Sequence, residues 1–402
     1  MAHTHPPLQF SVPVHWDFSI LEQVYELREQ AEQRQGKGIE ATMYGALPDG
    51  SFGSGRIHGS LPAVPASDAQ RYVRRAQQLG FRFRYLFNPR NILTKSTAAD
   101  ITGSLRMVVE GFGVDGVTVS QRDVLALVQE KHPHIAVTIS TIAGVQTPEE
   151  IDRYARYRSV ERICAHHDLN RNIPLLRKCI AKAKETGIGL ELMLTENCVD
   201  RCPIRNQHYA VLGRDTSQGK KVDDYQVPCW LDKLRHPEEI IAASWITPEG
   251  IDFYRSLGIH EFKITGRDKD PRRLPLAVEA YFNLSFDGNL MRLLGTAPQA
   301  VTGKPVEAED LAFLDTSALQ GFYERLDDAF CSGIPYRDFC RSETERLFKE
   351  GSFRLLDGHA RYALKDGRVT ATRLGDFYRQ MMDHAGKTRV YGLWKNARGQ
   401  EE

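Results

Sequence analysis

PEEIIAASWITPEGIDFYRSLGIHEFKIT, residues 237–265, contains two short apolar runs, and the reading of the first decides the fold. Ile240 to Ile246 has the length of a strand. Pro237, Glu238 and Glu239 precede it in the manner of a helix N-terminus, where a missing N–H costs little and acidic side chains are favoured. The run is therefore expected to be helical. Glu261 to Thr265 alternates instead: Phe262 and Ile264 are apolar while Glu261, Lys263 and Thr265 are polar, the period-two pattern of a strand. Working back from that strand, seven others are expected at Phe10 to Val14, Ile39 to Tyr44, Arg82 to Phe87, Val117 to Ser120, Ala136 to Thr141, Glu161 to His166 and Leu190 to Thr195.

Helix patterns lie between them. Thr147, Pro148, Glu149 and Glu150 form a capping box, and the helix after Asn172 places Ile173, Leu176, Cys179, Ile180 and Ala183 on one face. Strands alternating with helices eight times predict an α/β protein, a TIM-like (β/α)8 barrel. An open doubly wound sheet is the alternative and requires one less buried edge strand. Leu274 to Phe282 reads as the closing helix. Two domains are expected: residues 1–285, the barrel with a cysteine-bearing insert at about 197–245, and residues 286–402, a C-terminal α+β extension. The extension has helix patterns around Ala318 to Phe330 and Ser342 to Glu350. Its Asp366-Gly367 pair joins Arg361 to Lys365 with Arg368 to Thr372 as a hairpin.

The alternation also places charge inside. If the apolar faces meet the helices, Glu40, Arg162, Glu191 and Lys263 point at the barrel axis, at a cost of several kcal/mol each unless they pair or serve a ligand. Composition narrows the partners. Of 402 residues, 53 are Lys or Arg and 52 are Asp or Glu, so no dedicated polyanion binder is indicated, although a local basic patch is compatible. Arg71, Arg74, Arg75, Arg82, Arg84 and Arg90 read either as such an RNA contact or as a solvated helix face with one inward arginine. Every apolar run is too short to span a bilayer, and the first ten residues lack a secretory pattern, so a cytoplasmic address is expected.

Active sites of such barrels sit where strands end. The residues there give a catalytic set of His166, His167, Asp168 and Lys263, and a substrate-binding set of Tyr44, Arg56, Asn88, Ser140, Glu191 and Arg267. Gly111 to Gly116, GFGVDG, has dinucleotide-loop spacing but precedes a strand, so it reads as a helix-to-strand turn. The most specific stretch is ENCVDRCPIRNQHY, residues 196–209, followed by VPCW, residues 227–230. Cys198, Cys202 and Cys229 suit a soft metal, either zinc, with His208 as fourth ligand, or an iron–sulfur cluster. Cys164 is the candidate fourth cysteine. A radical-SAM arrangement is excluded, because Arg205 stands three residues after Cys202 where that motif needs cysteine.

RICAHHDLNRN (162–172), GLELML (189–194) and HEFKITGRDK (260–269) resemble segments of peptidase family U-32, the collagenase-like proteins. Lys263, Ile264, Gly266, Arg267 and Lys269 match its strand-8 signature, and Thr265 replaces its usual Glu. The resemblance spans roughly residues 10 to 285. It implies a TIM-like barrel holding a [4Fe-4S] cluster, with Cys198, Cys202 and Cys229 as ligands. The activity it implies is oxygen-independent hydroxylation of a small-molecule or RNA substrate. An electron or oxygen donor is then required, and a partner subunit is compatible. Peptidase activity, metal-independent or metal-assisted, and a zinc-stabilised RNA-binding module are the alternatives.

Overall fold

Strand β1 (Leu8–Pro13) pairs in parallel with β2 (Ile39–Gly45) on one side and β8 (Glu261–Lys263) on the other, and this double pairing closes the sheet. Between them run β3 (Arg82–Phe87), β4 (Gly116–Val119), β5 (Ala136–Ile139), β6 (Val160–Cys164) and β7 (Gly189–Met193), each hydrogen-bonded to its sequence neighbours. The closed ring has no edge strand, so the doubly wound alternative falls. The computed structural model describes residues 6–47, 55–56, 61–90, 97–214, 224–267, 269–295 and 306–398. Among them no helix is long and apolar enough to cross a membrane.

The expected alternation is what packs the ring. Phe10 on β1 stacks near Phe262 on β8 and Phe282 on the closing helix Leu274–Phe282, with ring centroids 6.2 and 5.1 Å apart. Val12, Leu192 and Ile163 are likewise buried. Helix Pro148–Ala155 has the capping box formed by Thr147 and Glu150, and Asn172 caps Ile173–Thr186. The GFGVDG segment is indeed a turn: a helical stretch ends at Phe112, Gly113 takes φ +71° and β4 starts at Gly116. Glu40 departs from expectation. It lies at the N-terminal end of β2 and is exposed, so the axial cost assigned to it does not arise. Only one turn of the 240–246 run is helical, Glu238–Ile241; Trp245 then turns its Nε1 back to donate to the Ile240 carbonyl at 2.8 Å.

The chain divides into two compact units. One comprises Met1–Leu194, Tyr209–Lys220 and Tyr254–Leu284; the other comprises Thr195–His208, Lys221–Phe253 and Ser285–Glu402. The first unit's last segment ends at Leu284, and most of the cysteine-bearing segment groups with the C-terminal residues and not with the barrel. The second unit contains antiparallel strands β9 (Ala312–Leu314) and β10 (Phe353–Leu355), and a hairpin of β11 (Arg361–Lys365) and β12 (Arg368–Arg373). The hairpin turns at Asp366 and Gly367, both with φ near +50 to +70°, as an Asp-Gly pair favours.

Candidate functional site

Within the barrel, a charged network fills the axis. Glu191 on β7 is 1% exposed; it accepts a 2.5 Å hydrogen bond from Ser11 on β1 and lies 3.7 Å from Arg162 and 3.9 Å from Lys263. Burial alone would raise its carboxyl, but Lys263, Arg162 and the hydrogen bonds from Ser11 and Cys164 hold it below the ordinary range. Nearer the N-terminal strand ends, Arg162 also pairs with Glu261 at 2.9 Å and donates to Gln9. Arg84 pairs with Glu161 and donates to Thr138 at 2.7 Å. Glycines make room: a Cβ at Gly189 would lie 2.4 Å from the Glu261 carboxylate, and one at Gly116 would lie 2.8 Å from the Ala136 carbonyl oxygen. Arg84 is thus the one inward arginine of the basic stretch, while Arg71 and Arg75 bond Asp68 and Glu22 on the helical surface.

Toward the C-terminal strand ends the network becomes cationic. The Lys263 ammonium sits 4.0 Å from the centre of the Tyr44 ring, and the Tyr44 hydroxyl donates to the Ile264 carbonyl at 2.8 Å. Burial raises the Tyr44 phenol, and Arg267 and Arg56 both oppose that rise, which places the two guanidiniums within electrostatic reach of it. Asn88 donates to Ser140 at 3.4 Å, and both are buried. All six expected substrate-binding residues therefore belong to the barrel unit with Lys263. Ser11, the acceptor-orienting partner of Glu191, escaped the sequence reading, because one serine on an apolar strand carries no distinguishing pattern.

His166, His167 and Asp168 form a compact stack after β6. The two imidazoles lie 4.5 Å apart at 19°, and Asp168 is 3.6 Å from His166 Nδ1 and 3.8 Å from His167 Nε2. His166 Nδ1 also accepts the Asp168 amide at 3.4 Å, so His166 caps the 3-10 turn His167–Arg171. His167 is fully buried. Cys164, on β6, is buried beside Glu191, and desolvation with that neighbouring carboxylate pushes its thiol up. It belongs to the barrel unit, whereas Cys198, Cys202 and Cys229 are all in the second.

Those three thiols lie within electrostatic reach of one another. Cys202 and Cys229 pack with Tyr225 and Val390 against the buried cluster Val199, Ile204 and Trp394, so the helix Arg389–Arg398 covers them. The Cys229 thiol hydrogen-bonds Cys202, and this bond brings the Cys202 thiol down to about 6 against desolvation, aided by Arg205 and His208. The same bond, with burial, raises Cys229. Burial and Glu196 raise Cys198, whose charge both other thiols feel. Arg205 anchors the segment by donating to the Val199 carbonyl at 2.7 Å, and His208 stacks on Tyr225 with centroids 5.1 Å apart. Lys233, 1% exposed, donates to the Asn197 carbonyl and, at 2.9 Å, to its side-chain oxygen. Sequence reasoning missed Lys233 and Arg205, since a charged residue on a helix ordinarily reads as solvated.

Among the described residues, no group of three or more His, Cys, Asp or Glu side chains could hold a metal ion as placed. The donor chemistry is that of a soft-metal site: three half-buried thiols with the buried cations Arg205 and Lys233 in electrostatic reach. Binding would have to draw the thiols together, as when a site orders on metal uptake.

No family model matches the chain. The uncharacterized protease MJ1657 of Methanocaldococcus jannaschii is 26% identical over 352 residues, covering 85% of this chain and 99% of that one. The resemblance to the U32 peptidase family thus extends over most of the chain. Among solved structures, the U32 peptidase Mk0906 is 16% identical, covering 66% of this chain and 96% of its own, with a TM-score of 0.43. A monomeric phosphoribosylanthranilate isomerase from Thermotoga maritima is 12% identical, covering 52% and 83%, with a TM-score of 0.30.

Proposed function

We propose that this chain is a U32-type protein and an oxygen-independent oxidoreductase of the hydroxylase type. It carries an iron–sulfur cluster on Cys198, Cys202 and Cys229, and its barrel holds an anionic small-molecule or RNA substrate. The observation that carries the reading is three half-buried thiols within electrostatic reach of one another, beside the buried Arg205 and Lys233. A bound cluster supplies one-electron transfer.

The barrel residues supply binding and proton control. Lys263 and Arg267 offer positive charge to a carboxylate or phosphate, and Glu191 pairs with Lys263 at 3.9 Å in a largely desolvated setting. Tyr44 orients the Lys263 ammonium through its ring face, its own hydroxyl being committed to the Ile264 carbonyl. With His166 Nδ1 accepting the Asp168 amide, the proton of the neutral ring resides on Nε2, the atom that would exchange it with substrate. In the chain, Cys198 follows the last residue of β7, Met193, by five positions, so barrel and thiol segment are joined by a short connection.

The test is turnover under strict exclusion of oxygen, with a chemical reductant and oxidant supplied in turn, scored by mass spectrometry for one added oxygen atom. Product from the wild type and none from Lys263→Met supports the reading. Hydrolysis of casein that survives chelator, with no oxygenated product, overturns it in favour of a peptidase, the activity in the name of the M. jannaschii relative.

A further inference from the structure

The hairpin of β11 and β12 carries a charge arrangement that its own pairing opposes. Its register sets Arg361 across from Arg373 and Lys365 across from Arg368, with a one-residue bulge between the two pairs, so each end of the ribbon brings two cations together. Directly opposed like charges destabilise an antiparallel pair. No carboxylate relieves them. Among the described residues Lys365, Arg368, Arg373 and the turn's own Asp366 form no ion pair, and Arg361 donates only to the Ala360 carbonyl at 2.9 Å. Glu345, which comes near Gly367, is held by Lys349 at 2.6 Å. The two faces of the ribbon differ. Val369 is buried beside Leu364, and the Tyr362 hydroxyl donates to the Leu234 carbonyl at 2.7 Å, so that face holds the hairpin on its unit. Arg361, Lys365, Arg368 and Arg373 are all exposed. Charges on a ribbon discourage pairing with stray strands. Acids would serve that end as well as bases, and mixing the two would turn each repulsive pair into an attractive one.

We infer that the exposed face of the β11–β12 ribbon binds a nucleic-acid backbone, RNA and DNA being the two sources of that phosphate chain. The two cation pairs stand four residues apart on β11, about 13 Å along the strand. One small anion cannot meet both, whereas a chain of phosphates can. A two-stranded ribbon is also a shape that nucleic-acid grooves accept. The near-balance of 53 basic and 52 acidic residues in the whole chain does not oppose this, because the patch is local. The inference goes beyond the cluster reading above and does not rest on it, since none of the four cations belongs to the barrel site or the thiol segment.

The experiment is fluorescence anisotropy of full-length protein with a labelled single-stranded RNA of mixed sequence and with DNA of the same sequence, between about 50 and 200 mM salt. Wild type is compared with the double variant Lys365→Gln, Arg368→Gln, and with Arg361→Gln, Arg373→Gln as a second pair. The wild type should bind with a Kd of about 1–100 μM, and four phosphate contacts should give a log–log salt slope of about −3 on single strands. Either double variant should bind at least about tenfold more weakly at the lowest salt and lose about half of that slope. Its Tm by circular dichroism should be unchanged or higher, because a repulsive pair has gone. Preference for RNA, or equal affinity for both strands, supports the inference and tells whether the 2′-hydroxyl is read. Wild-type affinity and slope in both double variants overturn it, as does a wild type that binds neither nucleic acid at about 100 μM. A lower Tm with unchanged binding assigns the cations to the fold and overturns it too. Binding to phosphatidylserine vesicles but to neither nucleic acid overturns it in favour of a membrane surface.

Discussion

Replacing Glu191 by Gln removes one charge from the middle of the barrel while keeping shape and the acceptor for Ser11. Two cations depend on it, Arg162 at 3.7 Å and Lys263 at 3.9 Å. At an effective dielectric of about 20, each such pair is worth about 4 kcal/mol before desolvation. Arg162 keeps Glu261 at 2.9 Å, so most of the net loss falls on Lys263, whose side chain is 12% exposed. Relief of the buried carboxylate's own desolvation offsets part of that loss. A net destabilisation of about 3 kcal/mol follows, the lower end of the range for breaking a buried pair. For a unit of this size that is a fall in Tm of about 6–12 °C. Because the folded-state carboxyl titrates below its ordinary value of 4.5, its contribution is complete above that pH and is lost as pH falls through the folded value. The wild-type advantage should therefore be full at pH 7 and shrink in acid. Urea titrations followed by circular dichroism, at pH 7 and at decreasing pH, measure it. Adding Lys263→Met should recover part of the loss, because it removes the stranded cation. A Glu191→Gln protein within about 0.5 kcal/mol of wild type at pH 7, the range of an ordinary surface substitution, would refute the network's electrostatic role.

Three further outcomes are expected. In reduced, metal-free protein, iodoacetamide should modify Cys202 with a rate that levels off above about pH 6, apart from the exposed Cys331, and Cys229→Ala should move the Cys202 profile upward by removing the donor, as peptide mapping across pH will show. Gly116→Ala should cost about 1–3 kcal/mol in urea titration without altering metal content, because its Cβ would press on the Ala136 backbone oxygen, which cannot turn away. Treating the loaded protein with a chelator should expose the 196–230 segment to trypsin, seen as new cleavage after Arg201 or Arg205, if metal orders that segment. Identical digestion patterns with and without chelator would count against a metal there.

The fold was readable because period-two alternation repeats in strands such as Leu190-Glu191-Leu192 and Phe262-Lys263-Ile264, and because Pro237-Glu238-Glu239 keeps the neighbouring apolar run out of the sheet. The same alternation marked Arg162, Glu191 and Lys263 as interior. It misplaced Glu40, since alternation reports the side of a strand and not how far along the barrel the residue lies. Cysteine spacing marked the thiols, but their surroundings were hidden. Trp394 and Val390, which help bury them, come from the far end of the chain, and such long-range packing leaves no local signature. Lys233 was hidden for a related reason: WLDKLR looks amphipathic, yet Trp230, Asp232, Lys233 and Leu234 are all buried. The short strands β9 and β10, three residues each, are set by tertiary pairing and not by propensity.

The central claim is that Cys198, Cys202 and Cys229 hold an iron–sulfur cluster. Iron, zinc and acid-labile sulfide should be quantified, with a visible spectrum, on wild type and Cys202→Ala purified without oxygen. The account predicts about four irons and four sulfides per wild-type chain, with loss of both in the variant. Zinc in place of iron, or iron retained undiminished in Cys202→Ala, would contradict it.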